Sequence, residues 1–252
     1  MSLRKYFFKT KFTYKIYLYY HLYLRHKGFF RKKRYSQFGE DQFISEFFKD
    51  KNDGVYLDVG CFHPFWWSNT CLLHQKGWEG INIDINFTAI DLFNIARPKD
   101  INLCTTIDEN KSELKFFFDH AFSPCNTMDK SFKDYFKKSY FEKFKEKCFI
   151  NDQIKTVKSK SVNDILKLAE KYKKIDFLNI DVEGAEMKVL ETLNFKIYDP
   201  SLICIEILGY RDLSAEKREI EIKHSKIYKF LENRGYKKIW SGSSYCSHLF
   251  TK

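Results

Sequence analysis

IDFLNIDVEGAE, residues 175–186, decides the architecture. Ile175, Phe177, Leu178 and Ile180 form a short apolar run that reads as a buried parallel strand. Asp181, Glu183 and Glu186 follow at once, and Gly184 lets the chain turn from strand into helix. In an open α/β sheet, acids at a strand's carboxyl end face the crevice where such sheets bind ligands. Carboxylates in such a crevice need a hydroxyl, a cation or a metal as partner.

The same alternation of strand and helix runs outward in both directions. Toward the N-terminus, the pattern predicts strands at Val55–Val59, Ile81–Ile85, Ile101–Thr106 and Leu114–Phe118. Helices are expected at Asp41–Lys49, Ser68–Lys76, Phe87–Ala96, Lys130–Lys147 and Val162–Tyr172. Toward the C-terminus come a helix from Ala185, a strand at Leu202–Ile207 and one long helix at Ala215–Asn233. Tyr236–Trp240 and Tyr245–Phe250 then read as an antiparallel pair around Ser241–Ser244. Asp119–Asn126 reads as a loop that could cover a site.

Charge divides the 252 residues into an arm, 1–34, and a body, 35–252. The arm holds 11 of the 44 Lys and Arg and none of the 33 Asp and Glu, so the body is formally neutral and the net +11 belongs to the arm. A body without its own basic face argues against a nucleic-acid partner. Nine Tyr and Phe between positions 6 and 23 interleave with the arm's bases. A basic aromatic helix of this kind suits the interface of an anionic membrane, or else packs on its own body or on a second copy in a homo-oligomer. Seven scattered cysteines without a Cys-x-x-Cys pair suggest reduced thiols in a cytoplasmic protein. No apolar run reaches a membrane-spanning length, and no signal-peptide pattern is seen.

The first clear strand ends in Asp58-x-Gly60 and the second in Asp84, one strand–helix–strand unit later. Gly60 allows close approach to the backbone, and Asp58 either orients the following loop or meets a cationic group. An acid at the end of the second strand commonly accepts from ribose hydroxyls. The loop Gly60-Cys61-Phe62-His63-Pro64 lacks a glycine-rich diphosphate cradle. A nucleoside without a diphosphate therefore fits better than NAD or FAD, with S-adenosylmethionine the leading candidate.

Three blocks carry a resemblance: SQFGEDQFI (36–44), YLDVGCFHPFWWSNT with KGWEGINID (56–70, 76–84) and IDFLNIDVEGAEMKVLETL (175–193); LICIE (202–206) is a weaker fourth. The chain resembles the FkbM family of S-adenosylmethionine-dependent methyltransferases over about residues 36–207. That resemblance implies an α/β, Rossmann-like class I methyltransferase fold: a mostly parallel seven-stranded sheet with a C-terminal antiparallel pair, here preceded by the basic aromatic arm. It also places Gln37 and Glu40 near the cofactor, although with Asp41 they equally suit a helix start. Cys61 stands where the family usually has Ala, and Phe65-Trp66-Trp67 is unusually bulky.

Methyl transfer to a hydroxyl needs a base or a metal near the nucleophile. Asp181 and Glu206, at neighbouring strand ends, are expected around the acceptor hydroxyl, where they could also ligate Mg²⁺ or Mn²⁺. His63 titrates in the useful range, so the base stays open between Asp181 and His63. A loop-shaping role suits His63 equally, since Pro64 follows it. Asn69 either caps a helix or touches the methionine moiety of the cofactor. Glu186 suits a helix start, and Trp66 and Trp67 suit either a sugar ring or the core. The expected activity is an O-methyltransferase acting on a sugar hydroxyl, of a nucleotide-activated sugar or of a capsule or lipopolysaccharide glycan. The rivals are a membrane-docking protein that keeps the fold without catalysis, and a methyltransferase of a lipid or small non-sugar metabolite.

Overall fold

The computed structural model describes residues 10–25, 33–109, 113–120, 126–128, 130–131, 133–135, 137–138, 153–169, 171–207, 213–242 and 246–252. In chain order the elements are α1 (Lys11–Tyr19), which runs on into a π-helical stretch Tyr20–Arg25; α2 (Glu40–Phe47); β1 (Val55–Val59); α3 (Cys71–Gln75); β2 (Glu79–Asp84); and α4 (Phe87–Ala96). There follow β3 (Ile101–Cys104), β4 (Thr106–Ile107), β5 (Glu113–Phe118), β6 (Gln153–Lys160) and α5 (Val162–Leu168). The chain ends with β7 (Phe177–Ile180), α6 (Glu186–Thr192), β8 (Leu202–Glu206), α7 (Ala215–His224), α8 (Lys226–Glu232), β9 (Lys237–Ser241) and β10 (Ser247–Thr251).

Seven strands form one sheet in the order β3-β2-β1-β7-β8-β10-β9. β3, β2, β1, β7 and β8 pair in parallel, and β10 runs antiparallel to both its neighbours. The anticipated Rossmann-like architecture, with its terminal antiparallel pair, is the one observed. The chain winds outward from β1 to β3, then returns to β7 beside β1 and winds the other way. The boundary between β1 and β7 is therefore the topological switch point, where such sheets open a crevice.

Both sheet faces are covered, which is why the central strands are largely apolar, with one buried polar position each in β1 and β7. Leu57, Val59, Ile81, Ile83, Leu178, Ile180, Ile203 and Ile205 pack on one face with Val162, Ile165, Val189, Leu190 and Leu231 from the helices. On the other, Tyr56, Phe177, Leu202 and Leu249 meet Ile44, Phe48, Leu73 and Trp78. Helix starts are set by local side chains: Asn86 accepts from Thr88 N at 3.1 Å to begin α4, and Ser161 accepts from Asp164 N at 3.1 Å to begin α5.

Four elements differ from the sequence-based reading. The expected strand 101–106 leaves the main sheet after Cys104, and Thr106–Ile107 pairs with β6 instead. β5 and β6 build with β4 a separate three-stranded sheet that the pattern did not indicate. β6 was missed because its apolar residues, Ile154 and Val157, stand three apart and break the period of two. The helix expected at 215–233 is two, broken at Ser225, whose backbone is extended (ψ 151°) and whose hydroxyl accepts from Tyr228 N at 3.1 Å. The reading of 130–147 falls largely outside the described residues, as do 121–125 and 243–245.

The arm's described helix packs on the body. Tyr17, Leu18 and Leu22 are buried with Leu92 of α4, flanked by Tyr14, Phe65, Ile95 and Ala96. Tyr14 donates to Asp91 at 2.6 Å. Among the described residues no helix is long and apolar enough to cross a membrane. Of the described cysteines, 61, 71, 104 and 204 are free thiols.

Candidate active site

Strand register assembles the site. Asn102, Asn82, Asp58, Asn179 and Cys204 are successive partners across β3, β2, β1, β7 and β8. Because strand side chains alternate with a period of two, they share one face. Hydrogen bonds tie the row together: Asn82 donates to Asn102 at 2.8 Å, and Asn179 donates to Asp58 at 2.8 Å while accepting from Asn69 at 2.9 Å. Two positions further along each strand come Asp84, Gly60, Asp181 and Glu206. The residues singled out from four separate motifs thus stand side by side along the carboxyl edge.

At the centre of that edge, β1 and β7 come unusually close. Gly60 has φ +85°, and a Cβ there would lie 1.7 Å from the Asp181 carbonyl oxygen. Close approach of the protein's own backbone, rather than of a ligand, is what requires this glycine. Gly60 N and Cys61 N both donate to Ile83 O, at 2.8 and 3.1 Å, and hook the loop onto β2. The Cys61 side chain points into the core beside Ile90 and Phe93.

Asp84 closes one side. Its two oxygens accept from Phe62 N at 2.9 Å and Asn86 N at 2.7 Å, which fixes the carboxylate between the loop after β1 and the start of α4. Burial pushes its carboxyl up to about 6, although those backbone donors pull the other way. Each oxygen retains a second lone pair for an incoming hydroxyl.

The loop after β1 is held by groups that sequence reasoning missed. Arg97, at the end of α4, is fully buried. Its guanidinium donates to Pro64 O at 2.7 Å, Ser68 Oγ at 3.1 Å, Thr70 Oγ1 at 2.8 Å and Tyr56 Oη at 3.2 Å. Asp58 accepts from Thr70 Oγ1 at 2.7 Å as well as from Asn179, and Tyr56 donates to Asp100 at 2.5 Å. Asp58 is thus buried within the network, in the loop-orienting role of the two foreseen for it. His63 is buried too, and its Nδ1 accepts from Phe65 N at 3.1 Å and Trp66 N at 3.0 Å. With Nδ1 committed to two backbone donors, this ring shapes the loop rather than serving as a base through that nitrogen. The only hint of Arg97 in the sequence was its position before Pro98, where a helix must stop.

Farther along the same loop, Phe62, Trp66 and Trp67 form a half-exposed aromatic cluster, with ring centroids 4.7 to 5.9 Å apart. Phe62 (φ +51°) and Trp67 (φ +55°) are in the left-handed region, as is Glu183 (φ +54°), the other non-glycine residue found there among the described residues. Strained backbone of this kind concentrates at functional sites.

The other side is acidic. Oxygens of Asp181, Glu183 and Glu206 lie within 4.8 Å of one another. Burial holds the Asp181 carboxyl well above the ordinary carboxylate range, and the charges of Glu206, Glu186, Asp58 and Glu40 add to the push. Glu186 accepts from Gly184 N at 3.0 Å and Val182 N at 3.3 Å, which ties down the start of α6. Thr127, beside the small sheet, donates to Glu183 O at 3.0 Å, so that sheet borders the acids. Glu40 is buried at the start of α2 and accepts from Phe38 N at 2.7 Å; Gln37, two residues before Gly39, is exposed. A crevice with this excess of carboxylates favours a ligand bearing positive charge.

The family described as "Methyltransferase FkbM domain" matches residues 50–238. The match takes in β1 through the start of β9 and so contains every strand that borders the crevice, whereas the 36–44 block lies outside it. No curated protein matches the chain.

Proposed function

The chain belongs to the FkbM methyltransferase family, and from that premise we propose that it is an S-adenosylmethionine-dependent O-methyltransferase acting on a sugar hydroxyl. The observation that carries the reading is the row Asp84, Gly60, Asp181 and Glu206 at the switch point. Its residues fit the cofactor. Asp84 is aimed to accept the ribose hydroxyls, and the surrounding carboxylates offset the positive charge of a sulfonium and an ammonium. Asn69, fixed by Asn179, is the neutral polar group assigned to the methionine end. Bound there, S-adenosylmethionine supplies an electrophilic methyl group.

Asp181 receives the proton of the acceptor hydroxyl as the oxygen attacks. With no ion bound, a carboxyl held well above its ordinary range is a stronger base than a free aspartate, and so better matched to that task. Glu206 holds the same hydroxyl from the neighbouring strand. With Glu183 these acids offer the all-oxygen donor set that Mg²⁺ or Mn²⁺ takes, and such an ion would lower the pKa of a hydroxyl it meets. Loss of turnover on chelation, restored by Mg²⁺ or Mn²⁺, is the expected result; undiminished turnover would leave proton transfer to Asp181 alone.

The aromatic rim of Phe62, Trp66 and Trp67 supports a sugar acceptor, because ring faces suit the apolar C–H face of a pyranose. An acceptor panel of nucleotide sugars, glycans, lipids and small metabolites, incubated with methyl-labelled cofactor, tests the substrate class; label confined to lipid or non-sugar acceptors overturns it. In the same assay Asp181→Asn is expected to lower turnover at least a hundredfold with cofactor affinity retained. Full activity of that variant removes Asp181 from the mechanism.

A further inference from the structure

We propose that the arm helix is an interfacial anchor that lays the protein on an anionic lipid surface. Its two faces differ sharply. Tyr17, Leu18 and Leu22 turn inward onto α4, and Leu22 is wholly buried. Phe12, Ile16, Tyr19, Tyr20 and Leu24 turn outward, with Phe12 74% and Leu24 62% exposed. Their positions repeat at three to four residues, so they form one stripe along the helix. The inward face already accounts for how the helix is held, and leaves this stripe to something outside the body.

Charge selects the occupant. Lys11, Lys15 and Arg25 are exposed on the same helix, and Lys33 and Arg34 are exposed where the described chain resumes. The arm contains 11 bases and no acid, whereas the rest of the chain is formally neutral. A second copy of this chain would have to place one such arm against another, which repels it, or against a body whose charges balance and so supply no net attraction. An anionic bilayer takes aromatic rings at headgroup depth and bases at its surface together. The contact also has a direction. Phe65, which belongs to the loop that carries His63, Trp66 and Trp67, packs in the same cluster as the arm. Docking through the arm therefore brings the aromatic rim of the crevice close to the membrane plane.

The full chain is tested by sedimentation with vesicles of phosphatidylcholine alone and with ~30% phosphatidylglycerol. The expected result is binding to the anionic vesicles only. At 1 M salt, where the screening length falls to about 3 Å, that binding should weaken sharply. The triple variant Phe12→Ser, Ile16→Ser, Leu24→Ser should lower partitioning by ~10-fold or more. The pair Lys11→Glu, Lys15→Glu should lower it independently, and both variants alter exposed positions, so melting temperature should hold. Equal binding to neutral vesicles, no binding to either, or triple-variant binding equal to wild type would overturn the proposal. So would a wild-type dimer that the triple variant dissolves, because it would assign the stripe to a second copy.

Discussion

Asp84 shows how one strand end couples binding to pH. Its folded pKa, raised by burial to about 6, lies above the ordinary 3.8. The native state therefore holds an extra proton between those values, and the group's contribution to stability declines as pH rises from 3.8 through 6. Cofactor binding has the opposite sign, since ribose hydroxyls bond best to the ionised carboxylate. Affinity for S-adenosylmethionine should fall as pH drops through 6, approaching tenfold per unit below it. Calorimetry from pH 7.5 to 5 should show this slope for the wild type and lose it in Asp84→Asn; equal slopes would separate Asp84 from the ribose. At Gly60, alanine would set a methyl group 1.7 Å from the Asp181 carbonyl in a backbone already at φ +85°. Gly60→Ala should cost about 3 kcal/mol or more in a urea melt, and a change under ~0.5 kcal/mol would contradict that packing. Asp84, Asp181 and Glu206 were legible in the sequence because each ends an apolar run. Asn179 and Arg97 were not. The first acquires meaning only when register sets it beside Asp58, and the second acts through loop atoms at positions 64, 68 and 70 that no local pattern connects to it.

Elements were readable to the extent that their own residues determine them. α4 was read at its observed limits, since Asn86 caps it and Arg97-Pro98 ends it. β1, β7 and β8 were read within two residues, because strands buried on both faces are largely apolar. The small sheet was not read, because Lys-rich β6 is half-exposed and gains its order from pairing with β4 and β5. The arm is the element with the plainest consequence for stability. A separable tail would leave the body intact when removed, whereas packing on its own body was the other placement left open by the sequence. The structure buries Tyr17, Leu18 and Leu22 against Leu92. At about 1.5–3 kcal/mol for each fully buried side chain, deletion of residues 1–34 should lower stability by several kcal/mol and expose an apolar patch on α4. Thermal melts of the truncated and full chains test this, and coincident curves would return the arm to the status of an appendage.

Across the whole molecule, the doubly wound sheet brings residues more than a hundred positions apart to a single edge. The β1 loop, hooked onto β2 and braced by Arg97, would give the proposed nucleoside a fixed wall. β7 and β8 supply acids on the other side, and the three-stranded sheet borders them through Thr127. The arm lies against α4, next to the loop that frames the crevice, so catalysis and surface docking would meet on one side of the protein. All of this rests on the switch-point crevice as the place where the nucleoside lies. Diffraction from crystals grown with S-adenosylhomocysteine tests that most directly. The predicted density has ribose hydroxyls on Asp84 and sulfur turned toward Asp181 and Glu206; a nucleoside bound elsewhere, or that edge filled by the protein's own side chains, would contradict it.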